Sequence, residues 1–100
     1  MEFTKEVKQN WLKSLRSGKY HQIQNDYCEG DSVHQATGHC CLVVLDRTVN
    51  DMGIHSGGAW ESLPIGYDVL VKLNDGKVDE SYPYDYSNVI PFIEGLETVD

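Results

Sequence analysis

The chain has 100 residues, with 16 acidic and 8 basic side chains and a formal net charge of -8 at pH 7. A chain of this length is too short for two separate cores, so we expect residues 1–100 to form one domain. Its longest apolar run, residues 40–45, falls far short of the roughly 18 residues that a membrane helix needs, which argues against a membrane protein.

The cysteine content and the N-terminal region favour a cytoplasmic protein. The chain contains three cysteines, and an odd number cannot be fully paired within one molecule. The first residues are charged and do not form the basic and then apolar pattern of a signal peptide. We therefore expect free thiols in a reducing compartment.

Charge is unevenly distributed along the chain. Residues 1–20 carry five basic and two acidic side chains, a net charge of +3, whereas residues 21–100 carry three basic and fourteen acidic ones, a net charge of -11. Such a surface repels phosphate backbones and attracts basic patches, so we expect a basic protein partner and no direct nucleic-acid binding. The simpler alternative is that the charge only keeps a small domain in solution.

The first predicted element is an amphipathic helix between Thr4 and Gly18. Thr4 is a typical N-cap and Gly18 a typical C-terminal residue of a helix. The apolar residues of this segment fall on one stripe, as a helix packed on a core requires. They are Val7, Trp11, Leu12 and Leu15.

Residues 17–38 are rich in turn-forming residues and predict an exposed loop or a weak β-hairpin. Two apolar elements follow, at residues 40–45 and 67–73, and periodicity allows a helix or a strand for each. The last segment, residues 85–96, predicts a helix with Ser87 as N-cap. Pro91 lies late for that cap, so the alternatives are a helix that starts near Ile90 or one that is kinked there. The predicted fold class is α+β and helix-rich, a single compact domain of three to four helices with an irregular or small β-hairpin segment.

Four short blocks carry a resemblance to a known family. Residues 11–22 are similar to the pattern W-L-x-x-L-R-S-G-x-Y-x-Q, and residues 40–45 to C-C-L-G-V-L with Val43 in place of the glycine. Residues 63–64 and 70–75, counted together as the third block, are similar to L-P and L-x-x-L-N-D. Residues 86–94 are similar to a closing S-F-x-x-I-A-x-x-I-E helix. Together the blocks resemble a family of small uncharacterised proteins of tailed bacteriophages and prophages.

The resemblance implies a phage-encoded protein that acts in the host bacterial cytoplasm. It also implies a compact helix-rich fold, with helices at residues 40–45 and 67–73, and it implies no activity. The chain departs from the pattern at Val43, at Pro91, in the acidic tyrosine-rich stretch before the last helix and in the histidine-rich middle.

A zinc site and a reactive thiol are the chemical alternatives. Thiolates and imidazoles are the ligands zinc prefers, and the chain offers Cys28, His34, His39, Cys40 and Cys41. The spacing argues against zinc, because a single cysteine faces the cluster at residues 39–41 where a pair is typical. His39 is also poorly placed to activate its sequence neighbour Cys40. Since no catalytic motif is present, we expect no enzyme, no catalytic residue, no metal and no cofactor.

The segment before the last helix is the predicted partner-binding site. Tyrosines there alternate with acids and a proline, and tyrosine and carboxylate together suit a partner surface rich in arginine and lysine. The candidate residues are Asp79, Glu80, Tyr82, Tyr84, Asp85 and Tyr86. The alternative is a solvated loop whose tyrosines pack back onto the helices.

These features predict a non-enzymatic acidic phage accessory protein. It would bind and inhibit a host or bacterial-defence protein, as an anti-CRISPR does, and the acids could mimic DNA phosphates. The alternative function is a sponge for a nucleotide signal that uses Trp60, Tyr67 and the glycine turn at residues 56–58. The sequence leaves the oligomeric state open.

Overall fold

The computed structural model describes residues 1–22, 28–29, 38–54, 59–74 and 86–100. These residues form one globule with four α-helices, which are α1 (Lys5–Arg16), α2 (Cys41–Asp51), α3 (Tyr67–Asn74) and α4 (Ile90–Glu94). A 3-10 turn, Ala59–Ser62, precedes α3. The helix-rich part of the predicted fold is confirmed, and both apolar elements that periodicity left open are helices.

Strand structure is slight in the described part of the chain. Strands β1 (Cys28–Glu29) and β2 (Gly38–His39) pair antiparallel, with Cys28 opposite His39, and Gln22 forms an isolated bridge to His39. The residues that connect the strands, 30–37, lie outside the described residues. The small hairpin therefore stays a prediction.

Helix α1 has the start and the buried face that local signals predict. The hydroxyl of Thr4 accepts a hydrogen bond from the backbone N–H of Val7 at 3.2 Å, as an N-cap does. The helix ends at Arg16, and Gly18 follows in the left-handed region with φ of 77°, where glycine avoids the steric cost of a Cβ atom. All four residues of the predicted apolar stripe are buried.

Helix α2 is the central helix of the core. Residues 41–46 and 48–49 are buried. A helix that buries nearly all of its faces lies in the interior of the fold. The indole N–H of Trp11 on α1 donates to the backbone oxygen of Cys41 at 2.9 Å. Val43, which replaces the glycine of the phage pattern, has no exposed surface and contributes a core side chain.

The last helix is shorter than predicted. It has five residues, its N-cap is Val89 in place of Ser87, and Pro91 lies in its first turn. Proline is tolerated there because the first N–H groups of a helix have no intrahelical partner. The prediction that residues 85–96 form one helix capped by Ser87 is therefore wrong, and the alternative start near Ile90 is confirmed.

Helix α1 is fastened to the C-terminal segment at several points. Lys8 Nζ donates to the backbone oxygens of Glu94 at 2.6 Å and Leu96 at 2.8 Å. The backbone N–H of Lys5 donates to the Asp100 carboxylate at 2.8 Å. A cation at the end of α4 and an anion at the start of α1 both match the helix dipoles.

Candidate partner-binding site

The predicted partner-binding residues divide into two groups. Asp79, Glu80, Tyr82, Tyr84 and Asp85 lie outside the described residues. Tyr86 is described, and its side chain has no exposed surface.

The structure corrects the assignment of Tyr86. Its hydroxyl donates to the backbone oxygen of His39 at 2.7 Å, and its backbone has a φ of 67°, which is rare for a side chain of this size. A ring enclosed in the core offers no surface to a partner. Tyr86 therefore anchors the chain and belongs to the alternative in which a tyrosine packs back onto the helices.

Three buried or partly buried amide side chains, Gln22, Asn74 and Asn88, form a cluster that we call the amide clamp. Gln22 Nε2 donates to Asn74 Oδ1 and to Asn88 Oδ1, both at 3.0 Å. Gln22 Oε1 accepts from the backbone N–H of Tyr86 at 2.8 Å. Both donors of this fully buried amide are thus used, and its oxygen is bonded, as burial of a polar group demands.

The amide clamp also completes two helix ends. Asn74 Oδ1 accepts from the backbone N–H of Cys41 at 3.1 Å, at the start of α2, where the side chain of the N-cap residue Cys40 does not cap the helix. Asn88 Nδ2 donates to the backbone oxygens of Leu73 at 2.6 Å and Asn74 at 3.3 Å, at the end of α3. Since terminal N–H and C=O groups need partners when they are buried, these bonds stabilise both helices.

The amide clamp holds the two described residues that flank residues 75–85. Asn74 and Tyr86 are the described residues on either side of residues 75–85, and both are hydrogen bonded to Gln22. Residues 75–85 carry four acids against one lysine. One buried side chain therefore fixes the two points between which this segment runs.

His39 lies beside the clamp in a cationic environment. Its ring is 5% exposed and packs edge-on against Tyr20, with centroids 5.1 Å apart. The guanidinium of Arg47 and the ammonium of Lys19 lie 5.8 and 5.4 Å from the Tyr20 ring centroid. Burial lowers the pKa of His39 below 6.5, the carbonyl oxygen of His21 partly opposes that shift, and the charges of Arg47 and His21 add to it.

The cysteines give no donor cluster in the described part of the chain. Cys40 and Cys41 are buried thiols, and buried thiols are generally unreactive. No three His, Cys, Asp or Glu side chains of the described residues come together as a metal site. His34 and the side chain of Cys28 lie outside those residues.

Most residues of the alternative, nucleotide-binding function lie outside the described residues, so this function stays a prediction. Trp60 is half-buried against the core, while residues 56–58 and the side chain of Tyr67 lie outside the described part. Two surface grooves of about 540 and 290 Å³ run along α1, and neither is lined by Trp60. Every helix in the described part of the chain is too short to span a bilayer.

Sequence reasoning missed the amide clamp. Gln22 and Asn74 both lie in the blocks that resemble the phage family, and so do Trp11 and Cys41. The structure connects these four through hydrogen bonds, Gln22 to Asn74, Asn74 to Cys41 and Cys41 to Trp11. The signal was an amide side chain in three of the blocks, Gln22, Asn74 and Asn88, which apolar packing alone does not explain.

Comparison of the chain with protein-family models, curated proteins and solved structures finds no match. The resemblance to phage proteins therefore stays a prediction that rests on the four blocks.

Proposed function

We propose that this chain is a non-enzymatic phage accessory protein of the host cytoplasm that binds a basic surface of a host or bacterial-defence protein and inhibits it. An anti-CRISPR that competes with nucleic acid for its target is the concrete form. Residues 79–85 make the contact, without Tyr86. The small hairpin through residues 30–37 belongs to the fold that carries this function.

The observation that supports the proposal is the attachment of both flanks of residues 75–85 to Gln22. Fixing the ends of a segment reduces the conformational entropy that binding must remove, so more of the contact energy is retained as affinity. Functional segments are commonly presented in this way by a rigid scaffold.

The chemistry of the segment indicates the partner. Residues 75–85 have a net charge of -3 and contain Tyr82 and Tyr84. Tyrosine provides large contact area at low entropic cost, and carboxylates speed association with a basic surface and favour it over other surfaces. A partner with arginines and lysines arranged for a phosphate backbone fits this combination.

The experiment is an affinity capture from bacterial lysate at low and high salt with two charge-matched variants. The segment variant carries Asp79→Asn, Glu80→Gln and Asp85→Asn. The control carries Glu2→Gln, Glu61→Gln and Glu97→Gln, three exposed acids outside the segment. Both variants lose three negative charges, so a difference between them reports position and not net charge.

We expect the wild type and the control to capture the same nucleic-acid-handling protein at low salt and to release it at high salt. The segment variant, and a variant with Tyr82→Ala and Tyr84→Ala, should lose it. Purified wild type should also displace nucleic acid from that protein. An equal loss in both charge variants, or a captured protein whose nucleic-acid binding is unchanged, would contradict the proposal.

A further inference from the structure

His39 occupies a joint between three parts of the chain. Its backbone N–H donates to the oxygen of His21 at 2.8 Å, and its backbone oxygen accepts from the Tyr86 hydroxyl at 2.7 Å. The next residue, Cys40, is the N-cap of α2. A displacement of His39 therefore disturbs the anchor of Tyr86 and the strand bridge to Gln22 together.

The ring of His39 is held in a site that favours its neutral form. Both ring nitrogens are buried, and neither has a hydrogen-bond partner. Protonation would add a second N–H donor and a full charge to a buried ring, and the carbonyl oxygen of His21 offsets only part of the desolvation cost.

The charges around the His39 ring also disfavour its protonation. Among the described residues, Arg47 on α2 and His21 on the adjoining segment are the charged or titratable groups that act on it electrostatically. Tyr20 contacts the ring, Lys19 lies over Tyr20, and Tyr86 meets the backbone oxygen. None of these described neighbours offers a carboxylate to an imidazolium, and the carbonyl oxygen of His21 opposes the lowering of the pKa only in part.

We infer that His39 is a proton-sensitive latch. Its protonation drives its ring out of the core and breaks the hydrogen bond that holds Tyr86, the residue that directly follows residues 75–85. The effect on partner binding rests on the proposed function, while the opening itself does not. The latch would make the protein a weaker inhibitor in acid.

The direction of the pH effect follows from linkage. The pKa of His39 is lowered in the closed state, first by burial, and returns to about 6.5 when the ring reaches water. The closed state is therefore fully favoured above about pH 6.5. Below that pH the opening equilibrium rises by up to tenfold per pH unit, until the closed-state pKa is reached.

Hydrogen exchange of the Tyr86 amide, measured by NMR between about pH 7.5 and 5.5, tests the latch. Three forms are compared, which are wild type, His39→Phe and, as control, His21→Gln at an exposed neighbouring histidine. Phenylalanine keeps an aromatic ring against Tyr20 and removes the unpartnered nitrogens. The Leu45 amide in α2 reports global opening.

After correction for intrinsic exchange, the protection of Tyr86 should fall by up to tenfold per pH unit below about pH 6.5 in wild type and in His21→Gln. It should stay flat in His39→Phe, and Leu45 should keep its protection in all three. Equal pH dependence in wild type and His39→Phe, or a parallel loss at Leu45, would overturn the latch. If His39→Phe does not fold, the titration of the His39 ring resonances in wild type tests the latch instead. A midpoint at or above about 6.5 with the Tyr86 amide still protected would also overturn the latch.

Partner capture separates the latch from the proposed function. Capture by wild type at pH 7.5 tests the function alone. Weaker capture at pH 6 than at 7.5 in wild type, without that change in His39→Phe, supports the regulatory role. A pH-sensitive Tyr86 amide in a protein that captures nothing would leave the latch standing and refute the function.

Discussion

At the residue scale, Gln22 shows how one side chain can organise distant parts of a small protein. It has no exposed surface, and its amide is bonded to Asn74, Asn88 and Tyr86. A buried amide of this kind contributes little net stability while its bonds are made, but its loss leaves several groups without partners.

Replacing Gln22 with Leu should therefore destabilise the protein by about 2–4 kcal/mol, because a shape of similar size is kept while the partner groups of the clamp lose their bonds. Urea unfolding measures the change. Gln9→Leu at an exposed position of α1 is the control and should stay within about 0.5 kcal/mol of wild type. A Gln22→Leu variant as stable as the control would show that the clamp is dispensable.

At the element scale, α1 and α4 depend on each other. Helix α4 has five residues, fewer than an isolated helix needs in water. It is stabilised by the burial of Ile93 and by Lys8 Nζ, which satisfies two backbone oxygens at its C-terminal end.

Lys8→Met keeps the apolar stem of the side chain and removes the charged donor, so we expect a loss of about 1 kcal/mol of unfolding free energy. Hydrogen exchange should localise the loss to the amides at the end of α4. Lys13→Met, at an exposed position of the same helix, should leave those amides unchanged. Equal effects of the two substitutions would mean that lost charge, and not the bonds to α4, is responsible.

The contact between Asp100 and α1 has a pH dependence of known sign. The hydrogen bond from the Lys5 backbone N–H lowers the pKa of the Asp100 carboxyl. The contact therefore stabilises the fold above the ordinary pKa of 3.8, and this stabilisation is lost as the pH falls through the lowered value. Asp100→Asn should therefore lower the stability at about pH 5 and match wild type near pH 2, as measured by thermal unfolding between those pH values. A variant that changes stability equally at every pH would contradict this account.

At the scale of the whole molecule, the excess of acidic side chains makes the net charge large for the size of the protein. A net charge of -8 acts within dimensions of 39 × 29 × 23 Å. The Debye length is about 30 Å at 0.01 M salt and about 8 Å at 0.15 M. At low salt most acidic groups therefore repel one another across the molecule.

Raising salt from about 0.01 to 0.15 M should accordingly raise the thermal midpoint. The variant with Glu2→Gln, Glu61→Gln and Glu97→Gln should be more stable at low salt and less sensitive to added salt. A midpoint that falls with salt would mean that attractive pairs outweigh the repulsion. The pair between Arg16 and Glu94, 3.0 Å apart and half exposed, is of the kind that salt weakens.

The sequence by itself determined the features that depend on near neighbours. Thr4, the apolar stripe and Gly18 specify α1 through contacts within a few residues, and Pro91 restricts where α4 can begin. The tertiary structure decided the rest. Short apolar runs satisfy either period until a core selects one, so only the packing made residues 41–51 and 67–74 helices. In the sequence, nothing distinguishes Tyr86 from the tyrosines that precede it. The hydrogen bonds that hold it in the core join positions 47 and 64 residues apart. Gln22 likewise meets Asn74 across 52 residues, and no local pattern encodes a partner at that distance.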